Sequence, residues 1–254
     1  MANKNTSWGD VSRWYSDHLE KGGDTYQSKV ILPNILRLMN IKNGDKILDL
    51  ACGQGFFSRE FGKIGAIVTG VDISKELISE AVRLSPPNTH YIPSSADNLS
   101  LVSSSSIDKV VSILAIQNIL PAKKMVEECN RVLKSNGKFY IVMNHPAFRM
   151  PKESSWGWDD KTKSMYREIN SYLSEWHEEI SMHPGKDKKS ATLSFHRPLQ
   201  WYFKLFFGNG FAVSRLEEWI SHKKSKVGPR QKEEDRMRKE IPLFLALELV
   251  KFNG

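Results

Sequence analysis

The stretch Lys46-Ile47-Leu48-Asp49-Leu50-Ala51-Cys52-Gly53-Gln54-Gly55 constrains this chain more than any other. Ile47 to Leu50 is a short apolar run with one acid inside it. The chain then breaks at two glycines, after which Phe56, Phe57, Phe61 and Ile64 recur at helical spacing. That order reads as strand, tight turn, helix. Gly53 and Gly55 permit a sharp turn and the close approach of a ligand. Asp49 directs a carboxylate toward the same turn, where it suits an ammonium group and repels a phosphate. On these residues alone, the stretch also fits an ordinary strand-to-helix turn of any α/β domain.

The residues that follow repeat the pattern. Ala66 to Ile73 is a second β-rich run with Asp72 near its end. An acid at the end of a second strand can accept from both hydroxyls of a ribose, or it can serve as a helix cap. Ser74 is the better cap for the helix from Lys75 to Leu84. Pro86-Pro87 ends that helix, and His90 to Pro93 reads as a brief third strand. Asp97 follows a strand end, where open α/β sheets place ligands, although a turn role also fits it. Ile107 to Leu114 is nearly all apolar, as a central parallel strand should be. A helix is expected from Pro121 through Leu133, closed by a glycine cap at Lys134-Ser135-Asn136-Gly137. Lys138 to Met143 then forms a fifth strand. Strict alternation over residues 46 to 143 predicts a parallel sheet with right-handed crossovers.

Upstream, Trp8, Trp14, Tyr15 and Tyr26 crowd an arm that either covers a ligand or packs against the domain. Apolar positions from Tyr26 to Met39 predict a helix bent at Pro33. Downstream of residue 143 the alternation stops. Residues 144 to 197 hold Pro146, Pro151 and Pro184, three of the seven tryptophans (Trp156, Trp158, Trp176) and four of the seven histidines (His145, His177, His183, His196). An insertion placed directly after a strand end hangs over the ligand crevice and reads as a substrate lid. Pro198 to Phe207 reads as a helix and Phe211 to Ile220 as a sixth strand. A charged linker, Ser221 to Lys239, precedes a last apolar run from Ile241 to Phe252. Two final strands joined by a loop predict an antiparallel hairpin at the sheet edge.

Bulk properties exclude several classes. The 254 residues, 40% hydrophobic, suffice for one large domain with a sizeable core. Cys52 and Cys129 suggest neither a disulfide framework nor a zinc site. With no apolar signal core and no long apolar run, a cytoplasmic chain without a membrane span is expected. Net charge is +8, from 37 Lys plus Arg against 29 Asp plus Glu. The basic run His222 to Arg230 sits beside Glu233-Glu234-Asp235, which reads as a solvated mixed-charge surface rather than a nucleic-acid footprint.

LDLACGQG, the acid of VTGVDIS, SADNLS, IDKVVSILAIQNI and RVLKSNGKFYIV occur in one order, and that order resembles the class I S-adenosylmethionine-dependent methyltransferases. The resemblance is strong over residues 41 to 143 and topological over 199 to 252. It implies a Rossmann-like α/β fold with a seven-stranded, mostly parallel sheet, helices on both faces and the last strand antiparallel. S-adenosyl-L-methionine is then the expected cofactor. The resemblance implies that Asp49 faces the methionine ammonium, that Ala51, Gly53 and Gly55 let the backbone pass it, and that Asp72 holds the ribose with Ile73 beside the adenine. It further implies Asp97 at the adenine amino group with Ala96 adjacent, and Leu114 and Gln117 at the methyl end. Ala51 departs from the glycine common in the family, and alanine is expected to be tolerated there if its φ is negative.

The leading expectation is methyl transfer to a small-molecule O, N or C acceptor. A general base is needed only for a protonated acceptor, and His145, His183, His196 and Tyr166 are the candidates, His145 lying nearest the fifth strand. Arg149 and Arg197 suit an acidic substrate group or the anchoring of the lid. An RNA or protein acceptor would call for a compact basic stripe or an added module, and neither is visible. A nicotinamide oxidoreductase would call for GxGxxG, but Ser58 stands at the third position. A binding protein with a degenerate pocket would have lost some of Asp49, Gly53, Gly55, Asp72 and Asp97, and all five are present.

Overall fold

The computed structural model describes residues 23–181 and 191–252. Trp8, Trp14, Tyr15, His183 and Pro184 lie outside the described residues. Strands β1 (Lys46–Leu50), β2 (Ile67–Asp72), β3 (Thr89–Pro93), β4 (Ile107–Ile113), β5 (Leu133–Asn144), β10 (Phe211–Trp219) and β11 (Phe244–Lys251) form a seven-stranded sheet in the order β10-β11-β5-β4-β1-β2-β3. The pairs β1/β2, β1/β4, β2/β3 and β4/β5 are parallel. β11 is antiparallel to both of its neighbours. The order reverses between β1 and β4, and a crevice opens beyond their carboxyl ends.

Strand periodicity sorts the core into two layers. Leu48, Leu50, Val110, Phe139, Ile141, Leu245 and Leu247 share one cluster with Met125, Val126 and Cys129 of α4 (Ala122–Val132) and with Tyr202 and Phe206 of α5 (Leu199–Phe207). Ile47, Val68, Val111, Tyr140, Val142 and Phe244 share the other with Ile35 and Leu38 of α1 (Leu32–Met39) and Phe61 of α2 (Phe56–Lys63). Each fully buried Leu, Ile or Phe contributes about 1.5–3 kcal/mol of transfer free energy. Asp49 has the parity of Ile47, so its carboxylate faces α2. α3 (Lys75–Leu84) begins at Ser74, whose hydroxyl accepts from the Leu77 amide at 3.2 Å, as its capping role requires.

The chain differs from the sequence reading at four places. The bend near Pro33 is a five-residue π-helical turn, Gln27–Ile31, that runs into α1 with Pro33 in its first turn. A proline lacks the N–H that a continuous α-helix would need there. The expected glycine cap after α4 is absent. The helix stops at an extended Leu133 and enters β5 directly, while Gly137 makes room for Leu133 and the Asp108 carbonyl. The charged segment before the last strand is not a plain linker, since it holds α6 (Gln231–Glu240). Only Met237 of α6 is buried, so no apolar stripe announced it. Its signals are Glu233 and Glu234 in the first turn, Arg238 and Lys239 in the last, and the Glu233–Arg236 pair at 2.6 Å. Finally, the stretch after β5 builds two hairpins, β6 (Ser154–Asp159) with β7 (Ser164–Ile169) and β8 (Trp176–Ser181) with β9 (Ala191–His196).

The thin burial of α6 makes it the least anchored helix among the described residues. Its amides should exchange with deuterium orders of magnitude faster than those of β4 and β11, whose residues are buried on both faces. Equal protection of α6 and β4 in hydrogen-exchange mass spectrometry would contradict this.

Candidate active site

The crevice turn is organised by two buried acids. Asp49, 2% exposed, accepts from the Ser58 hydroxyl at 2.6 Å. Asp72, 8% exposed, accepts from the Gly53 amide and the Ser74 amide, each at 2.9 Å. Asp72 therefore ties the turn after β1 to the start of α3, and its remaining lone pairs are free to accept from a ligand. Burial pushes the Asp49 carboxyl up to about 7, against the Ser58 hydrogen bond that favours the anion, and the charge of Asp72 adds to the rise. Burial also raises Asp72, opposed by the amides of Ser74, Gly53 and Ile73. Cys52 is raised by burial and then by both acids. The turn is therefore an electronegative pocket. It suits a cation and disfavours the pyrophosphate of a dinucleotide.

A pocket at the end of β1 is lined by Asp49, Ala51, Cys52, Gly53, Gln54, Phe56, Phe57 and Ile113. The turn is strained. Ala51 has φ +55°, outside the negative range in which alanine would sit without strain, and Leu114 at the end of β4 also has φ +55°. Left-handed backbone at a non-glycine residue costs roughly 1–2 kcal/mol, and such strain gathers at functional sites. Alanine is tolerated at Ala51 as the smallest residue that still bears the cost. Gly55, at φ +76°, has no room for a side chain, because a Cβ there would collide with the Tyr91 phenol. Ser58, which breaks the GxGxxG pattern, is the residue that bonds Asp49.

The other expected donor-site residues follow the carboxyl ends of β2, β3 and β4, on the same edge of the sheet as the pocket. Ile73 is 41% exposed directly after Asp72, an apolar side chain left open at a strand end. Ala96 is buried, and half-buried Asp97 accepts from the Ser95 hydroxyl. Gln117 donates to the Leu114 carbonyl at 2.8 Å, and its side-chain carbonyl is buried without a partner. A buried acceptor left unsatisfied is costly, so a donor from outside the chain is called for there. Their chemistry fits S-adenosylmethionine, with buried acids that suit a cation and hydroxyls, an open apolar side chain that suits a flat base, and an unspent buried acceptor at Gln117. Sequence reasoning missed Tyr91, which fills the space beneath Gly55 and Gly70 and whose hydroxyl meets Ser85 at 2.7 Å.

The base candidates separate clearly. His145 is buried and leaves neither nitrogen free. The Ala147 amide donates to its Nδ1 at 3.2 Å, so Nε2 carries the proton, paired with Glu218 at 2.8 Å. Burial holds its pKa below the usual histidine range despite Glu218. Tyr166 is exposed on β7 and lines a surface depression with Trp158 and Asp159, apart from the pocket of Asp49. His196 ends β9, 5% exposed, and its Nε2 meets the Tyr172 carbonyl at 2.8 Å. A carbonyl only accepts, so Nε2 bears the proton and Nδ1 is an acceptor, with no hydrogen-bond partner among the described residues. β9 packs on the 3-10 turn Ile116–Asn118 that contains Gln117. Arg197 fastens it there, donating to the Ile116 carbonyl at 3.3 Å and the Ile119 carbonyl at 3.0 Å. Its guanidinium also lies 4.5 Å from the Trp201 ring centre, so Arg197 anchors the hairpin.

The fold is the one seen in solved S-adenosylmethionine-dependent methyltransferases. Residues 48–141 match the family described as a methyltransferase domain. The chain is 32% identical over 129 residues to a ubiquinone biosynthesis O-methyltransferase of Nitrosococcus oceani, covering 47% of this chain and 52% of that one. It is 30% identical over 111 residues to the biotin biosynthesis bifunctional protein BioHC of Cellvibrio japonicus, covering 44% of this chain and 22% of that protein. The chain thus spans about half or less of the curated relatives it matches. The crystal structure of an S-adenosylmethionine-dependent methyltransferase from Mesorhizobium loti superposes with a TM-score of 0.67 at 24% identity, covering 85% of this chain and 95% of that one. At that identity the likeness is one of fold. No helix among the described residues is long and apolar enough to cross a membrane.

Asp49 sets a stability cost that a variant can expose. Its folded pKa of about 7 lies above the ordinary 3.8, so between those values the folded protein holds a proton that the unfolded chain has released. Stability from this group therefore falls as pH rises from about 4 to about 7, by up to about 4 kcal/mol at 1.36 kcal/mol per pKa unit. Asp49→Asn keeps the acceptor for Ser58 and removes the titration. The ligand-free variant should be more stable than the parent at pH 8 and nearly equal at pH 4, and it should bind the donor weakly. Parallel denaturant melts across that range that leave a constant difference would refute the assignment.

Proposed function

We propose that this chain transfers the methyl group of S-adenosylmethionine to an oxygen, nitrogen or carbon of a small-molecule acceptor by in-line displacement. The observation that carries this reading is the electronegative, strained pocket of Asp49 and Asp72 within a matched methyltransferase domain. The donor, when bound, supplies a methyl group already activated by its positive sulfur. The residues of the chain then have to bind, align and exclude water. In this reading Asp49 receives the ammonium, and Ala51, Gly53 and Gly55 give it room. Asp72 receives the ribose hydroxyls, Ile73, Ala96 and Asp97 border the adenine, and Leu114 and Gln117 border the methyl end.

Residues 41–143 are then the donor core of a single domain. Residues 144–197 act as the acceptor lid, with 1–40 as an N-terminal cover and 198–254 completing the sheet. Two relatives are named for ubiquinone and biotin biosynthesis, which favours a small-molecule acceptor over RNA or protein. Cys52 and Cys129 are both free thiols, as suits the reducing cytoplasm. His196 is the base we favour, because its Nε2–H is pinned to Tyr172 and its Nδ1 is left to accept a proton.

Donor binding is tested by calorimetry. Asp72→Ala should lower affinity for S-adenosylmethionine by more than tenfold, since hydrogen bonds to a charged acceptor are worth about 1.5–3 kcal/mol each and about 1.4 kcal/mol is a factor of ten. Unchanged affinity in a folded variant would make Asp72 a purely structural acid, and binding of NADH in place of the donor would sink the proposal itself.

The base is tested by rate. His196→Ala should lose roughly 10²–10⁴-fold in methyl transfer with donor affinity intact, and should recover in part at high pH, where the acceptor ionises unaided. Full rate at neutral pH would remove His196 from the chemistry.

A further inference from the structure

Three arginines lie on or beside the segment that follows β5, and two of them are spent. Arg167 donates to the Phe148 carbonyl at 2.6 and 2.9 Å and to the Ser154 hydroxyl at 2.6 Å, and it lies 5.0 Å from the Trp156 ring centre. Arg197 is consumed by the backbone of residues 116 to 120. Arg149 has no hydrogen bond and no ion pair among the described residues, so five N–H donors remain in a planar fork.

Its position is defined by the backbone. Arg149 closes the turn that leaves β5 at the crevice end, where its amide donates to the His145 carbonyl at 2.8 Å. The His145 amide in turn donates to the Leu243 carbonyl at 2.8 Å, so this turn is tied to the residue just before β11. The Arg149 side chain is open to solvent, yet enough protein surrounds it that loss of hydration lowers its pKa. Arg149 also lowers the pKa of Arg167, so two guanidiniums stand close together. Tyr26 is near enough to act on Arg149, and its ring packs edge-on against Phe244 at 5.8 Å. Tyr26 and Leu114 flank the same core cluster, which puts this group on the β1–β4 side of the sheet with the donor pocket. The two acids of that neighbourhood are already paired, Glu218 with His145 and Asp24 with His222, each at 2.8 Å. Arg167 is bonded to the carbonyl of Phe148, the residue before Arg149, and neither arginine has an ion pair among the described residues, so an incoming oxyanion would relieve the repulsion between them.

We propose that Arg149, with Tyr26 beside it, forms an acceptor subsite that binds a carboxylate or phosphate group of the methyl acceptor. This deepens the methyltransferase reading and rests on it. A planar guanidinium takes such a group through two parallel hydrogen bonds, and the Tyr26 ring, with Lys223 over it at 5.5 Å, borders the body of the molecule. The acceptor is then an anionic small molecule, held at one end by charge while its nucleophile reaches the donor.

The test uses the whole chain, with benzoate, inorganic phosphate and neutral benzyl alcohol as probes, each measured by calorimetry or ligand-observed NMR with and without S-adenosylhomocysteine. Benzoate or phosphate should bind and benzyl alcohol should not, and the stronger of the two identifies the anion. Arg149→Gln should weaken that anion at least tenfold while Arg149→Lys weakens it less, and both should keep the parent affinity for S-adenosylhomocysteine. Because Arg149 makes no contact that holds the fold, both variants should melt with the parent. Absence of anion binding to the parent, or equal binding to Arg149→Gln, overturns the subsite. Weakened S-adenosylhomocysteine binding in Arg149→Gln also overturns it, since Arg149 would then serve the donor's own carboxylate. Failure of S-adenosylhomocysteine to bind the parent strikes the methyltransferase reading instead, and the anion measurements made without it still decide the subsite.

Discussion

A carboxylate buried at the end of β1 is the constraint around which this molecule is arranged. Asp49 is placed there by strand parity, facing α2 rather than the opposite core layer, and Ser58 is its one hydrogen-bond donor among the described residues. A buried acid held only by the hydroxyl and amide of one residue is unstable as an anion, which is why its pKa climbs to about 7. Such a site costs stability until a cation arrives. The turn beside it carries a second cost, in the left-handed backbone of Ala51. Both costs fall on the few residues that face the crevice, while the two apolar layers on either side of the sheet supply the stability that tolerates them.

The segment after β5 shows how one arginine can replace a large interface. The β8–β9 hairpin makes its own two-stranded sheet and shares no ladder with the main one. It is held over the carboxyl end of β4 by Arg197, which spans carbonyls of the 3-10 turn and lies against Phe195 and Trp201. Asn118 adds a bond to the Leu193 carbonyl at 2.7 Å. The β6–β7 hairpin is held differently, by the Met165 amide on Glu233 of α6 at 3.0 Å and by Arg230 over the Trp158 ring at 4.5 Å. Helix α6 thus has a function in the architecture that its own thin burial does not suggest.

The insertion of β11 between β5 and β10 completes the sheet. Leu245, Leu247 and Leu249 enter one core layer and Phe244 and Ala246 the other. Glu248 falls among buried residues on this strand and is satisfied by Lys138 at 2.9 Å and by the Ser214 hydroxyl at 2.8 Å. A charge so placed is tolerable only because both partners reach it, and they come from the two strands that flank β11.

The sequence by itself determined the parallel core. Alternating apolar runs, glycine turns and helical spacing between residues 46 and 143 are local signals, and local signals survive in one dimension. It also marked the three acids of the proposed donor site, because Asp49, Asp72 and Asp97 each stand at or just past a strand end that the same pattern shows. What only the tertiary structure decided were the matters that depend on distant partners. The positive φ of Ala51 follows from the path the turn must take past Asp72, not from alanine's own preference. The state of His145 follows from Glu218, far away in the chain, and that of His196 from Tyr172. Helix α6 carries almost no apolar pattern, so its place was set by contacts with the β6–β7 hairpin. That Arg197 is spent while Arg149 is not was invisible in the sequence, because a hydrogen bond to a backbone carbonyl leaves no mark on the identity of the residue that accepts it.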